Sequence, residues 1–446
     1  MKTSICDFVT EYKNSGKLRL HMPGHKGKSF IGIEKYDITE ISGADVLYDA
    51  KGIIRESEEN AARLFGAEKT VYSAEGSSLS IRAMLYLAVL YAKANGINPI
   101  IAAGRNAHRV FMTAAALLGF ETEWIFPENK SDIISCDISP EYLDAFLSDA
   151  KEKPSAVYIT SPDYLGNIAD IKGLSAVCKK HGALLLVDNA HGAYLGFLPE
   201  IIHPISLGAD ICCDSAHKTL PVLTGGAYLH ISKTAPEMMA EYAENAMSLF
   251  ASTSPSYIIL QSLDMANRYI ADGYCEKLEC CAKKISDLKI SLRSFGYDII
   301  GNEPVKLTLS PKSVGYTGEG IADILSENGI ECEFSDPDFV VMMFTPETEE
   351  SDIEKLGEIL LSVEKKEKIT ITPPLMTKPE KALSVRDAML SASEEMDIHE
   401  CEGRILASAA VNCPPAIPIL VCGEIIDKNS IKCFEYYGTE KCRVIK

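Results

Sequence analysis

The feature that most constrains this chain is a series of short, unbroken apolar runs separated by helical stretches. Ile100–Ala103, Ala156–Thr160, Leu184–Val187 and Ile211–Cys213 each read as a strand with no polar alternation. A strand that is apolar throughout must be covered on both faces, which a parallel sheet between layers of helices provides. Thr70–Ala74 is a further short strand candidate, while Glu56–Phe65 and Leu79–Lys93 carry helical spacing. Gly182 follows Lys179-Lys180-His181 where a helix would need its terminating glycine. The expected class is α/β.

After Tyr257 the texture changes. Ser262–Phe295 reads as one long helix, followed by strand Val305–Ser310, helix Gly320–Asn328, strands Ile330–Phe334 and Phe339–Thr345, and helix Asp352–Glu364. That order describes a smaller α+β unit. The Lys365–Lys368 charge run and Thr372-Pro373-Pro374 read as a linker, Lys381–Met396 as a helix, and Pro414–Pro418 as rigid extended chain. The expected domains are an arm over 1–55, a large domain over 56–265, a small α+β domain over 266–368, and a C-terminal segment over 369–446. A chain of 446 residues has room for about three domains.

Composition narrows the partners. Lys plus Arg total 44 against 63 for Asp plus Glu, a net charge of −19, which repels nucleic acid and anionic lipid. No apolar run reaches the roughly 18 residues of a membrane span. The opening residues lack an apolar segment behind a basic one, so the expected location is the cytoplasm. Of fourteen cysteines, Cys212–Cys213 and Cys280–Cys281 are adjacent and none forms a CxxC pair. Together with Cys178 and Cys332 in apolar surroundings, they read as reduced core thiols.

Four features fall at ends of expected strands, where open α/β sheets bind ligands. Gly76-Ser77-Ser78 precedes a helix and offers free N–H groups and two hydroxyls, a phosphate seat or an ordinary helix cap. Asp188 ends an apolar strand and needs a cationic partner, either a core arginine or a protonated ring nitrogen. Lys218, in Ser215-Ala216-His217-Lys218, follows another apolar strand; desolvated, it is an amine nucleophile, otherwise a solvated bystander. His108, past Ile100–Ala103, can stack on a flat ring or simply be hydrogen-bonded. Taken jointly they describe a pyridoxal phosphate site, in the chain order of fold-type-I enzymes.

Longer motifs carry a resemblance. Leu20-His21-Met22-Pro23-Gly24-His25-Lys26-Gly27, Asp188-Asn189-Ala190-His191-Gly192, Ser215-Ala216-His217-Lys218-Thr219-Leu220-Pro221, Ser252-Thr253-Ser254-Pro255-Ser256-Tyr257 and Pro414-Pro415-Ala416-Ile417-Pro418 span nearly the whole chain. It resembles the bacterial ornithine/lysine/arginine decarboxylases, in the short form without a wing domain. The resemblance implies an aminotransferase-like large domain with a mostly parallel seven-stranded sheet, a smaller α+β domain, and pyridoxal 5'-phosphate as cofactor. It implies that Lys218 forms the Schiff base, Asp188 holds the pyridinium, His108 stacks on the ring and His191 lies nearby. Gly76, Ser77, Ser78, Ser215 and His217 would hold the phosphate, and Thr160 would face the cofactor. Thr253 and Ser254 would approach the neighbouring subunit's cofactor, hence a homodimer or higher homo-oligomer. The activity implied is decarboxylation of a basic L-amino acid to its amine.

Some positions depart from the family pattern. Glu75, Asn189 and Tyr194 stand where Asn, Glu and His are common, and Cys413, Ala416 and Cys422 where Tyr, Gly and Pro are. The C-terminal departures bear on specificity and activity. An aminotransferase or other lyase on the same scaffold, and an inactive cofactor-binding regulatory homologue, therefore stand as alternatives. Glu331, Glu333, Glu400 and Glu402 are candidates to hold the substrate's distal cation. Gly24-His25-Lys26-Gly27-Lys28-Ser29 has too few residues between its glycines for a phosphate loop, and Pro23-Gly24 breaks any helical pairing of His21 with His25, so no metal is assigned.

Overall fold

The computed structural model describes residues 1–128, 133–375, 377–408 and 416–446. Of the C-terminal proline motif, Cys413, Pro414 and Pro415 lie outside the described residues. Seven strands form the main sheet: β1 (Lys69–Ser73), β2 (Ile100–Gly104), β3 (Glu121–Ile125), β4 (Ala156–Thr160), β5 (Leu184–Asp188), β6 (Ile211–Asp214) and β7 (Ala227–Ile231). Their order is β1-β7-β6-β5-β4-β2-β3. β2 runs parallel to β3 and β4, and β5 to β6, whereas β7 is antiparallel to both its neighbours. The apolar runs are buried at every residue of β2, β5, β6 and β7, while β3, at the sheet edge, alternates. The expected α/β class with a mostly parallel seven-stranded sheet is what the chain forms.

Two compact units divide the chain, residues 1–98 with 171–277, and residues 99–170 with 278–446. In the first, helix Ile171–His181 ends at Gly182, whose φ of 72° suits the left-handed conformation. Ser4–Asn14, in the stretch read as an unpatterned arm, is a helix. Its start is fixed from outside: the N–H groups of Ile5 and Cys6 both donate to Asp264 Oδ2, at 2.9 and 3.0 Å. The single helix expected over Ser262–Phe295 is two, Tyr257–Ala271 and Tyr274–Phe295. Gly273, at φ 76°, breaks the pattern where helix geometry cannot continue.

The second unit carries a four-stranded antiparallel sheet of β8 (Asp298–Ile300), β9 (Lys306–Ser310), β10 (Phe334–Ser335) and β11 (Val340–Met343), in the order β10-β11-β9-β8. With helices Gly318–Glu327 and Glu350–Ser362 this is the smaller α+β layer expected. The strand expected over Ile330–Phe334 shrinks to β10, since only Phe334 and Ser335 pair with β11. Lys381–Met396, expected as one helix, gives a six-residue helix Val385–Leu390 and then β12 (Ser393–Asp397). β12 pairs antiparallel with β13 (Lys441–Ile445), so a partner from the far end of the chain overrides the local helical spacing.

Candidate active site

In the first unit, β5 and β6 lie parallel with Asp188 opposite Cys213, and the chain turns out of each strand at one end of the sheet. Asp188 is 3% exposed, and the N–H of Ala190 donates to its Oδ1 at 3.2 Å. Beyond β6, the short helix Ala216–Thr219 carries Lys218. Its Nζ lies 2.9 Å from His191 Nε2, and His191 is buried. Amine and imidazole are thus within proton-transfer distance.

The helix Ser77–Ala94 starts at Gly76, at φ 75° and ψ 173°, with no side-chain cap on its opening N–H groups. Ser215 Oγ donates to Ser77 Oγ at 2.6 Å, joining the two loops. The turn at Gly225–Gly226 joins them again. Gly76 N–H donates to the Gly225 carbonyl at 2.7 Å, and His217 N–H to the Gly226 carbonyl at 3.2 Å. A Cβ on Gly225, at φ 100°, would lie 3.1 Å from the Ala74 carbonyl oxygen. A helix start without a side-chain cap, flanked by two serine hydroxyls, suits a phosphate. The buried Asp188 suits a protonated ring nitrogen, and Lys218 an aldehyde. These donors and acceptors fit pyridoxal phosphate.

Glu75, one of the departures, is engaged: its Oε1 accepts from Ser252 N–H at 2.7 Å, tying the Ser252–Tyr257 motif to the phosphate turn. Thr253 and Ser254 are exposed in the single chain, Ser254 N–H donating to Ser252 Oγ at 3.1 Å.

Sequence reasoning missed the group that holds these loops together. Asp214, the last residue of β6, is fully buried. It accepts from Asn189 Nδ2 at 2.7 Å, His203 Nε2 at 3.0 Å and His230 Nε2 at 3.2 Å. Ile205 N–H donates to His203 Nδ1, which leaves the proton on Nε2, and Thr70 Oγ1 lies 2.8 Å from His230 Nδ1. Burial pushes Asp214 up, but the two imidazoles outweigh it and hold the carboxyl well below the ordinary range. The signals were present: a second aspartate ending an apolar strand, and a histidine inside the apolar run of β7. Asn189, noted only as a departure from Glu, is the donor that links the Asp188 loop to this carboxylate.

His108 and Thr160 belong to the second unit. His108 caps helix Arg109–Leu118, its Nδ1 accepting from Val110 N–H at 3.2 Å. Thr160 ends β4 with Oγ1 buried and no hydrogen-bond partner. It lines a cavity of about 690 Å3. Glu331 and Glu333 border a different hollow, Glu333 accepting from Tyr164 OH at 3.0 Å, while Glu400 and Glu402 are exposed. Ala416, the departure from glycine, sits at φ 60°, in the left-handed region glycine favours.

The sheet topology gives the chain the fold of the fold-type-I enzymes. Residues 3–299 match the family model described as Orn/Lys/Arg decarboxylase, major domain, and residues 364–441 that of its C-terminal domain. The chain belongs to the Orn/Lys/Arg decarboxylase family. It is 30% identical over 463 aligned residues to an arginine decarboxylase of Bacillus subtilis, covering 96% of this chain and 92% of that relative. Solved structures with the same fold include lysine decarboxylase A from Pseudomonas aeruginosa, at TM-score 0.81 and 17% identity over 99% of this chain and 80% of that one. A lysine decarboxylase from Francisella novicida gives 0.80 and 16%, over 100% and 81%. No helix among the described residues is long and apolar enough to cross a membrane.

Proposed function

We propose that this chain is a cytoplasmic, pyridoxal-phosphate-dependent decarboxylase of a basic L-amino acid, with arginine the first of arginine, lysine and ornithine to test. The observation that carries the reading is the meeting of Lys218 with His191 at 2.9 Å on a chain that matches the family in both its domains. Bound there, pyridoxal phosphate would supply the electron sink for the carbanion left when CO2 departs. Lys218 would hold the cofactor aldehyde, and Asp188 would keep the ring nitrogen protonated. Gly76, Ser77, Ser78, Ser215 and His217 would receive the phosphate, with His108 on the ring face and Thr160 turned to the cofactor. His191 would share a proton with Lys218, and one of the two would return it to the substrate's Cα. Ser254 and Thr253, exposed in one chain, would complete the phosphate site of a second copy, making the working unit a homodimer at least.

The test is release of labelled CO2 from each of the three amino acids, with borohydride reduction and peptide mapping to find the modified lysine. CO2 from one of them and a reduced adduct on Lys218 are the expected results. Keto-acid formation without CO2 would make the chain an aminotransferase. Cofactor absorbance that Lys218→Ala abolishes, without turnover of any basic amino acid, would make it a binding homologue.

A further inference from the structure

Cys212 and Cys213 are neighbours on β6, so their side chains leave opposite faces of the strand and cannot meet. Cys401 and Cys442 are far apart in sequence and touch. Cys401 follows the short 3₁₀ turn Ile398–Glu400, which leads out of β12, and Cys442 lies on β13 opposite Met396. The turn is tied to the start of β13, Ile398 N–H donating to the Glu440 carbonyl at 3.1 Å. Folded back in this way, the chain brings the Cys442 S–H to Cys401 Sγ at 3.3 Å, while the Cys401 S–H donates to the Asp397 carbonyl at 3.1 Å. Both cysteines belong to the second unit and to one apolar cluster with Ile398, Phe434 and Val444.

A disulfide bond is about 2.05 Å long, so the two sulfurs need approach by only about 1.2 Å. Exposure sets the order of events. Cys442 is 9% exposed and Cys401 fully buried, so an oxidant arriving from solvent meets Cys442 first. Cys401 already lies in contact as the second nucleophile. Burial, with the Cys401 sulfur beside it, pushes the Cys442 thiol up, so little thiolate is present at neutral pH and the first step is slow. A site this closed admits only a small oxidant, and hydrogen peroxide is the smallest of the hydroperoxides.

We propose that Cys401 and Cys442 form a modification site, oxidised by a hydroperoxide to a reversible disulfide that bolts the turn after β12 to β13. The Cys442 thiolate attacks the O–O bond, taking one oxygen as a sulfenic acid and releasing the other as water or an alcohol. The Cys401 sulfur then attacks the Cys442 sulfur, forming the S–S bond and expelling the remaining oxygen as water. The sulfurs lose two electrons, the O–O bond gains them, and both thiol protons end in the released products. A dithiol reverses the step by exchange. The bond closes a loop across a sequence separation of 41 residues, which restricts the unfolded chain. The inference does not rest on the decarboxylase reading.

The test treats the full chain with hydrogen peroxide, unfolds it into iodoacetamide and maps the peptides without reduction. The expected result is a peptide pair joining Cys401 to Cys442, released by dithiothreitol, with a melting temperature about 5 °C or more above that of the reduced chain. Cys401→Ser should give no link and leave Cys442 as a sulfenic acid that dimedone labels. Cys442→Ser should leave Cys401 open to alkylation and show no rise in melting temperature. That variant separates the bond from oxidation of Met396 or of the exposed Cys275 and Cys280. Should a serine variant fail to fold, the map and melting temperature of the parent decide alone. Cys401 and Cys442 recovered unlinked, a bond from either to Cys433 of the same cluster, or a link that leaves the melting temperature unchanged overturns the inference.

Discussion

Asp214 offers a direct measurement of how the loops around Lys218 are held. Three buried donors, on Asn189, His203 and His230, converge on its carboxylate. Asp214→Ala removes every acceptor, and three stranded donors at about 1–3 kcal/mol each give a loss near 5 kcal/mol. Asp214→Asn is gentler. One oxygen remains for the imidazoles, and Asn189, whose Oδ1 has no partner, can turn its amide to accept from the new NH2. The loss is then confined to charge assistance, about 1–3 kcal/mol. At roughly 2–4 °C per kcal/mol for a unit of this size, Asp214→Asn should melt a few degrees low and Asp214→Ala more than about 10 °C low. Acid adds a second readout. The folded carboxyl lies below its unfolded value near 3.9, so its contribution is complete above that pH and fades as pH falls towards the folded value. The gap between parent and variants should therefore narrow in acid. Scanning calorimetry from neutral pH downward decides it. Equal effects of Asn and Ala, or melting points that stay with the parent's, would refute the account.

Three other substitutions have worked-out directions. Ala416→Gly relieves a left-handed alanine, about 1–2 kcal/mol, less the extra unfolded-state freedom of glycine, about 0.4–1 kcal/mol; a small rise in melting temperature is expected, and a fall would show that the conformation is not strained. Arg105→Met strands Glu424, whose carboxylate lies 2.8 Å from the guanidinium with both side chains over nine-tenths buried. Denaturant titration should show a loss of about 3–5 kcal/mol, much of it regained when Glu424→Leu is added. Asp188→Ala should lower kcat/KM for the amino acid that releases CO2 by about a thousandfold, roughly 4 kcal/mol at the transition state, with the protein still folded by circular dichroism.

What the chain disclosed about itself follows from the range of the forces involved. Strands β2, β4, β5 and β6 were legible because burial on both faces leaves no room for polar residues, and that pattern is local. Gly182 was legible because a helix stop is a matter of one dihedral. β12 was not, because its partner β13 lies more than forty residues away and its own sequence, Ser393–Asp397, carries three acids. Helix Ser4–Asn14 was missed because its anchor, Asp264, is equally remote. The site shows the same division. Asp188 and Lys218 stand at strand ends and announce themselves, whereas Asp214 gains its meaning only when His203, His230 and Asn189 are brought around it.

β7 runs back against β6 instead of crossing over to lie parallel, so the chain returns within a few residues of leaving Lys218. Its entry turn, Gly225–Gly226, reaches the backbone of Gly76 on one side and of His217 on the other. Two adjacent peptide carbonyls therefore act as a fixed gauge between the turn at residue 76 and the loop bearing the amine. The span between those loops is set by the polypeptide before any small molecule arrives. Any change in that span would have to distort two glycine peptides at once.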